Sequence, residues 1–329
     1  ILSWANASIG STYGPPLRSP SSTSSKPTPQ LLDCFNEEAE LDAVVAKLRT
    51  WRSSGVPYSS QAVLFRFNAT SAKLEAALAA ADIPFQVLGG PRFMDRPEVL
   101  SVLKVFGARA RLDPEEDGLG LLRLCASESG FDLDSPPDSQ GAVRSRWESV
   151  RALLDLASSA EDLSALGVLD LFLSLSKTDA TLGVSLGTIH AAKGLEFDAV
   201  LVFSLVEGSL PSSYATTPAQ IEEERRLFYV AITRARTHLT LSLARRFKNI
   251  PQQPSRFLNN LPGLSVRPTP SKSSKYPSKY SSRASTRSQS RSSSGYSTPV
   301  APVPAPVESS APRCAKCSKR LSGAAAYAL

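Results

Sequence analysis

The sequence Thr188-Ile189-His190-Ala191-Ala192-Lys193-Gly194-Leu195-Glu196-Phe197 opens the stretch that decides the fold. It runs on through the apolar residues 199–203 to Glu207-Gly208-Ser209-Leu210-Pro211. It closes with Glu222-Glu223-Glu224-Arg225-Arg226-Leu227-Phe228-Tyr229-Val230-Ala231-Ile232-Thr233-Arg234-Ala235-Arg236. The pattern predicts a strand, a glycine-bearing polar loop, a second strand, a further loop and then a helix passing from charged to apolar. Such an alternation sets polar groups at the ends of strands and helices, where α/β folds bind ligands.

In this order and at this spacing, these strings resemble motifs V and VI of superfamily 1A DNA helicases of the UvrD/PcrA type. The resemblance implies an α/β fold: a RecA-like parallel-sheet domain (2A) carrying a short helical 2B-like insertion. It also implies an enzyme that binds ATP and Mg²⁺ between two RecA-like domains, with the second domain supplying arginines to the γ-phosphate. Arg234, in Thr233-Arg234-Ala235, occupies the motif VI arginine position and is the expected catalytic finger. An arginine suits that role because it stays charged and its donors form a rigid fork; the bland alternative is a surface arginine on an amphipathic helix. Glu207 and Gly208 match motif Va, which implies a place beside the ATP ribose. His190 and Lys193 match motif V, which implies contact with a single-strand backbone. On the helix, Arg226, Val230 and Arg234 step by four. Glu222–Glu224 read as first-turn acids favoured by the helix dipole, with Glu222 or Glu223 able to orient Arg226.

Outward from that centre, residues 62–67 form an apolar run suited to a buried strand. A helix is predicted over 71–81, a strand over 83–88 and a Gly89-Gly90 turn before Arg92-Phe93. The resemblance places Arg66 and Asn68 near single-stranded DNA. The alternatives are that Arg66 lies on a solvated edge and that Asn68 caps the next helix. Residues 1–9 and 36–52 read as helices, and residues 10–30, rich in Ser, Pro and Thr, as loop. A helix over 97–112 has Pro97 in its first turn. Further amphipathic helices over 119–126, 143–156 and 163–175 fill the place of the 2B insertion. The Arg-Gly-Ile-Gly type of turn that grips duplex in the family is not found there, which puts a duplex-gripping role in doubt.

The resulting domain reading has six parts: 1–30, a helix and loop from the preceding motor region; 31–112, the first part of 2A; 113–182, the insertion; 183–262, the second part of 2A; 263–312, a disordered linker; and 313–329, a truncated Cys-x-x-Cys module. The 329 residues carry a net charge of +7. From Gly263 onward 11 basic residues face one acid, Glu308, so a tail at +10 leaves −3 for residues 1–262. The basic character belongs to the tail, which is too poor in aliphatic residues to fold. Its Lys/Tyr near-repeat at 274–280 suits either a solvated linker or a single-strand grip by charge and stacking. Cys314 and Cys317 offer two of the four ligands zinc needs, half a site at most. Four scattered cysteines argue against a disulfide framework and for a reducing, cytoplasmic setting. No apolar run is long enough for a membrane helix.

The sequence contains no Gly-x-x-x-x-Gly-Lys-Ser/Thr, no Walker B segment and no motif IV arginine. The chain begins at Ile1 and its one methionine is Met94, which reads as a fragment or a processed product. The expectation is therefore the C-terminal motor half of an ATP-dependent 3′–5′ DNA helicase acting in repair. Its expected partners are single-stranded DNA, single-strand/duplex junctions and a missing N-terminal RecA-like domain that holds most of the ATP and Mg²⁺. Alone it is expected to turn over no ATP. The first rival is a stand-alone single-strand binding or regulatory module resting on the basic tail. The second is the motor half of a RecB/AddA-type helicase–nuclease, for which no nuclease residues are present.

Overall fold

A computed structural model describes residues 1–9, 27–137, 141–176 and 183–269. The expected loop over 10–26, most of the basic tail, and Cys314 and Cys317 lie outside the described residues.

Six strands form one parallel sheet in the order β1-β6-β5-β2-β4-β3. They are β1 (Gln30–Cys34), β2 (Gln61–Phe65), β3 (Phe85–Val87), β4 (Val184–Thr188), β5 (Phe197–Val202) and β6 (Ala235–Ala244). A parallel sheet covered on both faces needs strands that are apolar throughout; β2, which holds the first four residues of the run 62–67 read as a buried strand, is buried at every position, while Arg66 and Phe67 lie past its end and are partly buried. The fold is thus the RecA-like α/β class expected. The edge strand β1 was not anticipated. It pairs with β6, and its Gln30 and Asp33 face solvent.

Helix α2 (Glu37–Ser53) joins β1 to β2 and α3 (Ser71–Ala80) joins β2 to β3. Both cover one face through Val44, Leu48, Trp51, Leu74 and Leu78. On the other face lie α1 (Leu2–Ile9) and α8 (Pro218–Thr233), where Trp4, Phe228, Ile232 and Phe257 join the core. Phe228 stacks on Phe257 at 5.8 Å, and Trp4 Nε1 donates to the Pro262 carbonyl at 2.9 Å. Asn36 caps α2 by accepting from the Ala39 N–H at 2.9 Å. Asn36→Ala should cost about 1 kcal/mol, read as a shift in the urea midpoint with the slope unchanged.

Between β3 and β4 the chain builds α4 (Pro97–Ala110), α5 (Gly118–Glu128), α6 (Ala142–Ala157) and α7 (Ala165–Ser176). These four helices share their own core, with Phe106 edge-on to Phe172 at 6.0 Å. Buried Arg96 ties this group to α3 and to the turn that follows β2. It donates to Ser71 Oγ at 2.7 Å, and to Ser149 Oγ on α6 and the Asn68 carbonyl, each at 3.3 Å. After β6 the chain makes a short antiparallel hairpin, β7 (Arg246–Phe247) and β8 (Ile250–Pro251). The segment read as linker from Gly263 starts differently. Leu264 and Val266 pack on the core, and Thr269 exchanges hydrogen bonds with the Gln253 side chain. Apolar side chains there keep the chain on the domain for several residues beyond the expected boundary.

Candidate functional site

Because all six strands run the same way, the segments that follow β2, β4, β5 and β6 emerge on one edge of the sheet. Arg66 follows β2, His190 follows β4, and Glu207 follows β5. A cleft of about 400 Å³ opens there, lined by Arg66, Asn68, His190, Tyr214 and, from α6, Arg144 and Glu148. Three of the four residues expected at a single strand, Arg66, Asn68 and His190, thus converge. The fourth, Lys193, is exposed in the loop beyond.

The cleft is built from ion pairs and aromatic rings. Arg66 meets Glu224 of α8 through Nη2 to Oε1 at 2.8 Å and Nε to both carboxylate oxygens at 3.1 Å. Its guanidinium also lies 5.1 Å from the Phe67 ring. Arg66 is therefore paired and only 22% exposed, and not simply solvated as the alternative had it. Asn68 does not cap α3; it opens a short 3₁₀ turn, and Thr70 precedes the helix. Across the cleft, Arg144 Nη2 donates to Tyr214 Oη at 2.7 Å, which donates to Glu148 Oε1 at 3.0 Å. Tyr214 stands edge-on to Phe67 at 6.1 Å. Burial, and next the Arg66 charge, hold the His190 pKa below its usual value, so the imidazole is neutral at pH 7. Burial and the hydrogen bond to Glu148 raise Tyr214.

A second cavity of about 420 Å³ adjoins the first, sharing Phe67 and Glu148. Phe203, Phe247 and Glu207 line it. Glu40 lies in its wall, buried, accepting from the Ser204 N–H at 3.0 Å and from Ser242 Oγ at 2.5 Å. Burial pushes the Glu40 pKa up to about 7.

Arg234 lies elsewhere. It ends α8, immediately before β6, and its carbonyl accepts from the Phe197 N–H at the start of β5. It therefore sits on the opposite edge of the sheet from Glu207 and Gly208. At about 3.3 Å per strand residue the separation is roughly 20 Å. The three residues expected at one nucleotide are thus not brought together within this domain. The cause is topological: Glu207 follows β5, whereas Arg234 ends the helix that returns the chain to the start of β6. Glu207 instead holds Arg256, with Nη2 to Oε2 at 2.6 Å and the Arg256 N–H to Oε1 at 2.7 Å. Gly208 takes φ +92°, a conformation that favours glycine.

The Arg234 guanidinium is held by its own domain. Nη1 donates to the Leu195 carbonyl at 2.9 Å, Nε to the Val230 carbonyl at 3.1 Å and Nη2 to Thr233 Oγ1 at 3.2 Å. The segment 189–196 crosses from one edge to the other, with His190 at the cleft and Leu195 at Arg234.

The family of UvrD-like helicase C-terminal domains matches residues 1–129 and 136–246. The chain belongs to that family. It is 34% identical over 296 residues to the ATP-dependent DNA helicase UvrD2 of Mycobacterium tuberculosis, covering 84% of this chain and 42% of that protein. It is 29% identical to DNA helicase II of Escherichia coli (80% and 48% covered) and 28% identical to the ATP-dependent DNA helicase PcrA of Staphylococcus epidermidis (71% and 44%). The chain spans less than half the length of these curated relatives.

Within this UvrD-like domain, α8 differs from expectation at its start. Thr217 and Gln220 form a capping box and Pro218 occupies the first turn, so Glu222–Glu224 lie past it and not at the dipole. Glu222 pairs with Arg225 and Glu223 with Arg226, the latter at 2.6 Å as i,i+3 spacing allows. Glu224 is buried, and the spacing carried that signal, since Glu224 shares a helical face with Leu227, Phe228 and Ala231. Arg144, Tyr214 and Phe247 were also missed. Arg144 pairs locally with Glu148 at i,i+4, but the contacts that set the cleft, Arg144 to Tyr214 and Tyr214 to Phe67, are distant in sequence. Among the described residues no three His, Cys, Asp or Glu side chains cluster to hold a metal ion, and no helix is long and apolar enough to cross a membrane.

Proposed function

We propose that this chain is the half of an ATP-driven 3′–5′ DNA helicase motor that grips single-stranded DNA and supplies the arginine finger. One observation carries this reading: segment 189–196 joins the cleft at His190 to Arg234 through the Leu195 carbonyl. A contact made at one edge thereby has a covalent route to the other.

The cleft has what a single strand needs: cations for phosphate and aromatic faces for bases. Arg66 and Arg144 supply the charge, while Phe67 in the cleft and Phe247 in the adjoining cavity offer rings. Neutral His190 can donate one hydrogen bond to a phosphate oxygen and leave the charge to Arg66. ATP with Mg²⁺ would supply the phosphoryl-transfer energy that drives stepping. Arg234 fits a terminal phosphate, because it is half-buried on the edge away from the cleft and its fork is already ordered. The described residues offer Mg²⁺ no ligand cluster, so the P-loop half would hold the ion. Glu207, paired with Arg256, belongs to the cavity edge in this reading. Cytoplasmic work on junctions in repair follows from the same proposal.

The rival, a binding module that relies on the basic tail, makes a different prediction. Removing residues 274–329 leaves a compact unit. Binding of the shortened chain to labelled oligothymidylate should weaken and become less salt-dependent but persist, and Arg66→Gln should weaken it further. Abolition of binding by the truncation alone would favour the tail-driven module.

A further inference from the structure

We propose that Glu224 is an internal counter-ion that competes with DNA phosphate for Arg66 and so sets how tightly the cleft holds a strand. The proposal rests on the single-strand reading above. It starts from the difference between three successive acids. Glu222 and Glu223 face outward and pair with Arg225 and Arg226 of their own helix. Glu224 turns inward, its side chain 7% exposed, and reaches across to the end of β2. There it takes the Nε and Nη2 donors of Arg66, leaving Nη1 without a hydrogen bond among the described residues. The Arg66 side chain remains 22% exposed and lines the cleft.

A phosphate entering the cleft therefore meets a cation already neutralised by a carboxylate at 2.8 Å. Two anions cannot both take full benefit of one guanidinium fork. Phosphate must share Arg66 or displace Glu224. The consequence spreads, because Glu224 Oε2 also accepts the Ser212 N–H at 3.0 Å, and two residues on Tyr214 packs against Phe67. The same helix ends at Arg234, so a change of partner at Glu224 bears on the element that carries the proposed finger. Glu224 touches neither DNA nor nucleotide; it is a positioning residue acting through Arg66.

The test compares the full chain, Glu224→Gln, Arg66→Gln and the double variant in binding labelled oligothymidylate across a salt series. Gln at 224 keeps a side-chain oxygen for the Ser212 N–H and removes the charge. Glu224→Gln should bind roughly five- to ten-fold tighter at low salt, the scale of one charged coupling. Its log–log salt slope should steepen by about 0.7, one more phosphate neutralised on a single strand. Arg66→Gln should bind more weakly with a shallower slope, and the double variant should match it. A purely structural Glu224 would weaken binding instead. Titration of the His190 imidazole by NMR gives an independent reading. Its pKa should fall in Glu224→Gln and rise in Arg66→Gln, because the two charges act on it in opposite directions. Binding no tighter in a Glu224→Gln chain that melts like wild type would overturn the proposal alone. Where Gln at 224 prevents folding, Glu224→Asp, which keeps the charge but shortens its reach to Arg66, should bind tighter than wild type, and unchanged binding there would overturn the proposal too. Wild-type binding indifferent to Arg66 would overturn the single-strand reading and this proposal with it.

Discussion

Replacing Arg234 by Ala in an enzyme carrying both motor halves is expected to lower DNA-stimulated ATP turnover about a thousandfold, the lower end for an arginine finger. That loss corresponds to about 4 kcal/mol of transition-state stabilisation. Single-strand affinity should stay within about threefold of wild type, because Arg234 lies on the sheet edge away from Arg66 and His190. Arg234→Lys should be nearly as slow, since an ammonium keeps the charge but not the fork that meets the Leu195 carbonyl and a phosphate together. The isolated chain, with no P-loop in its sequence, should show no turnover with or without the substitution. Steady-state kinetics with DNA binding measured alongside decide the matter. Turnover within tenfold of wild type would mean that Arg234 serves only to pin Leu195 and cap α8. A thousandfold loss with intact DNA binding would separate chemistry from grip as the two edges of the sheet suggest.

Legibility in the sequence followed locality. Helices α2, α3, α4 and α6 announce themselves by apolar spacing, and β2 by an unbroken apolar run, because each is fixed by residues close in sequence. Strand β1 does not. It has five residues, two of them polar and exposed, and its partner β6 lies about 200 residues away. The motif strings led to the correct family, and three of the four residues they singled out for a single strand, Arg66, Asn68 and His190, line one cleft. They did not reveal that Arg234 and Glu207 face opposite edges, because that follows from α8 returning the chain across the sheet. They also hid the partners that shape the cleft. Arg66 and Glu224 are separated by 158 residues and Arg144 and Tyr214 by 70. The start of α8 was readable from Thr217-Pro218-Ala219-Gln220, a capping-box pattern with proline at the first position, but the glutamate run beyond it drew the boundary too late.

Glu40 carries the second large expectation. Its carboxyl has an ordinary value of 4.5 and is pushed up to about 7 by burial, outweighing the hydrogen bonds from Ser242 and Ser204 that favour the anion. The folded state therefore binds the proton more tightly than the unfolded chain does. Below about pH 4.5 both states are protonated and the group costs nothing. As pH rises from there toward 7, the unfolded chain ionises while the folded one resists, so stability falls, levelling off above the folded value. Between pH 5 and pH 8 the loss is about 2–3 kcal/mol. Glu40→Gln removes it. The carboxamide oxygen can still accept from the Ser204 N–H, and the cost of burying the amide nitrogen does not change with pH. Variant minus wild-type stability, from urea unfolding at the two pH values, should thus shift by about 2–3 kcal/mol in favour of Gln at pH 8. Taking the difference between the two proteins cancels every other titrating group. Equal differences at both values would mean that water reaches this carboxylate in the folded state. The consequence then extends beyond stability, because Glu40 bridges the turn after β5 to β6 in the wall of the cavity beside the cleft. A wet Glu40 would be ionised at pH 7, keeping its bonds from Ser204 and Ser242 and placing a negative charge in the wall of the cavity that Glu207 and Phe247 line.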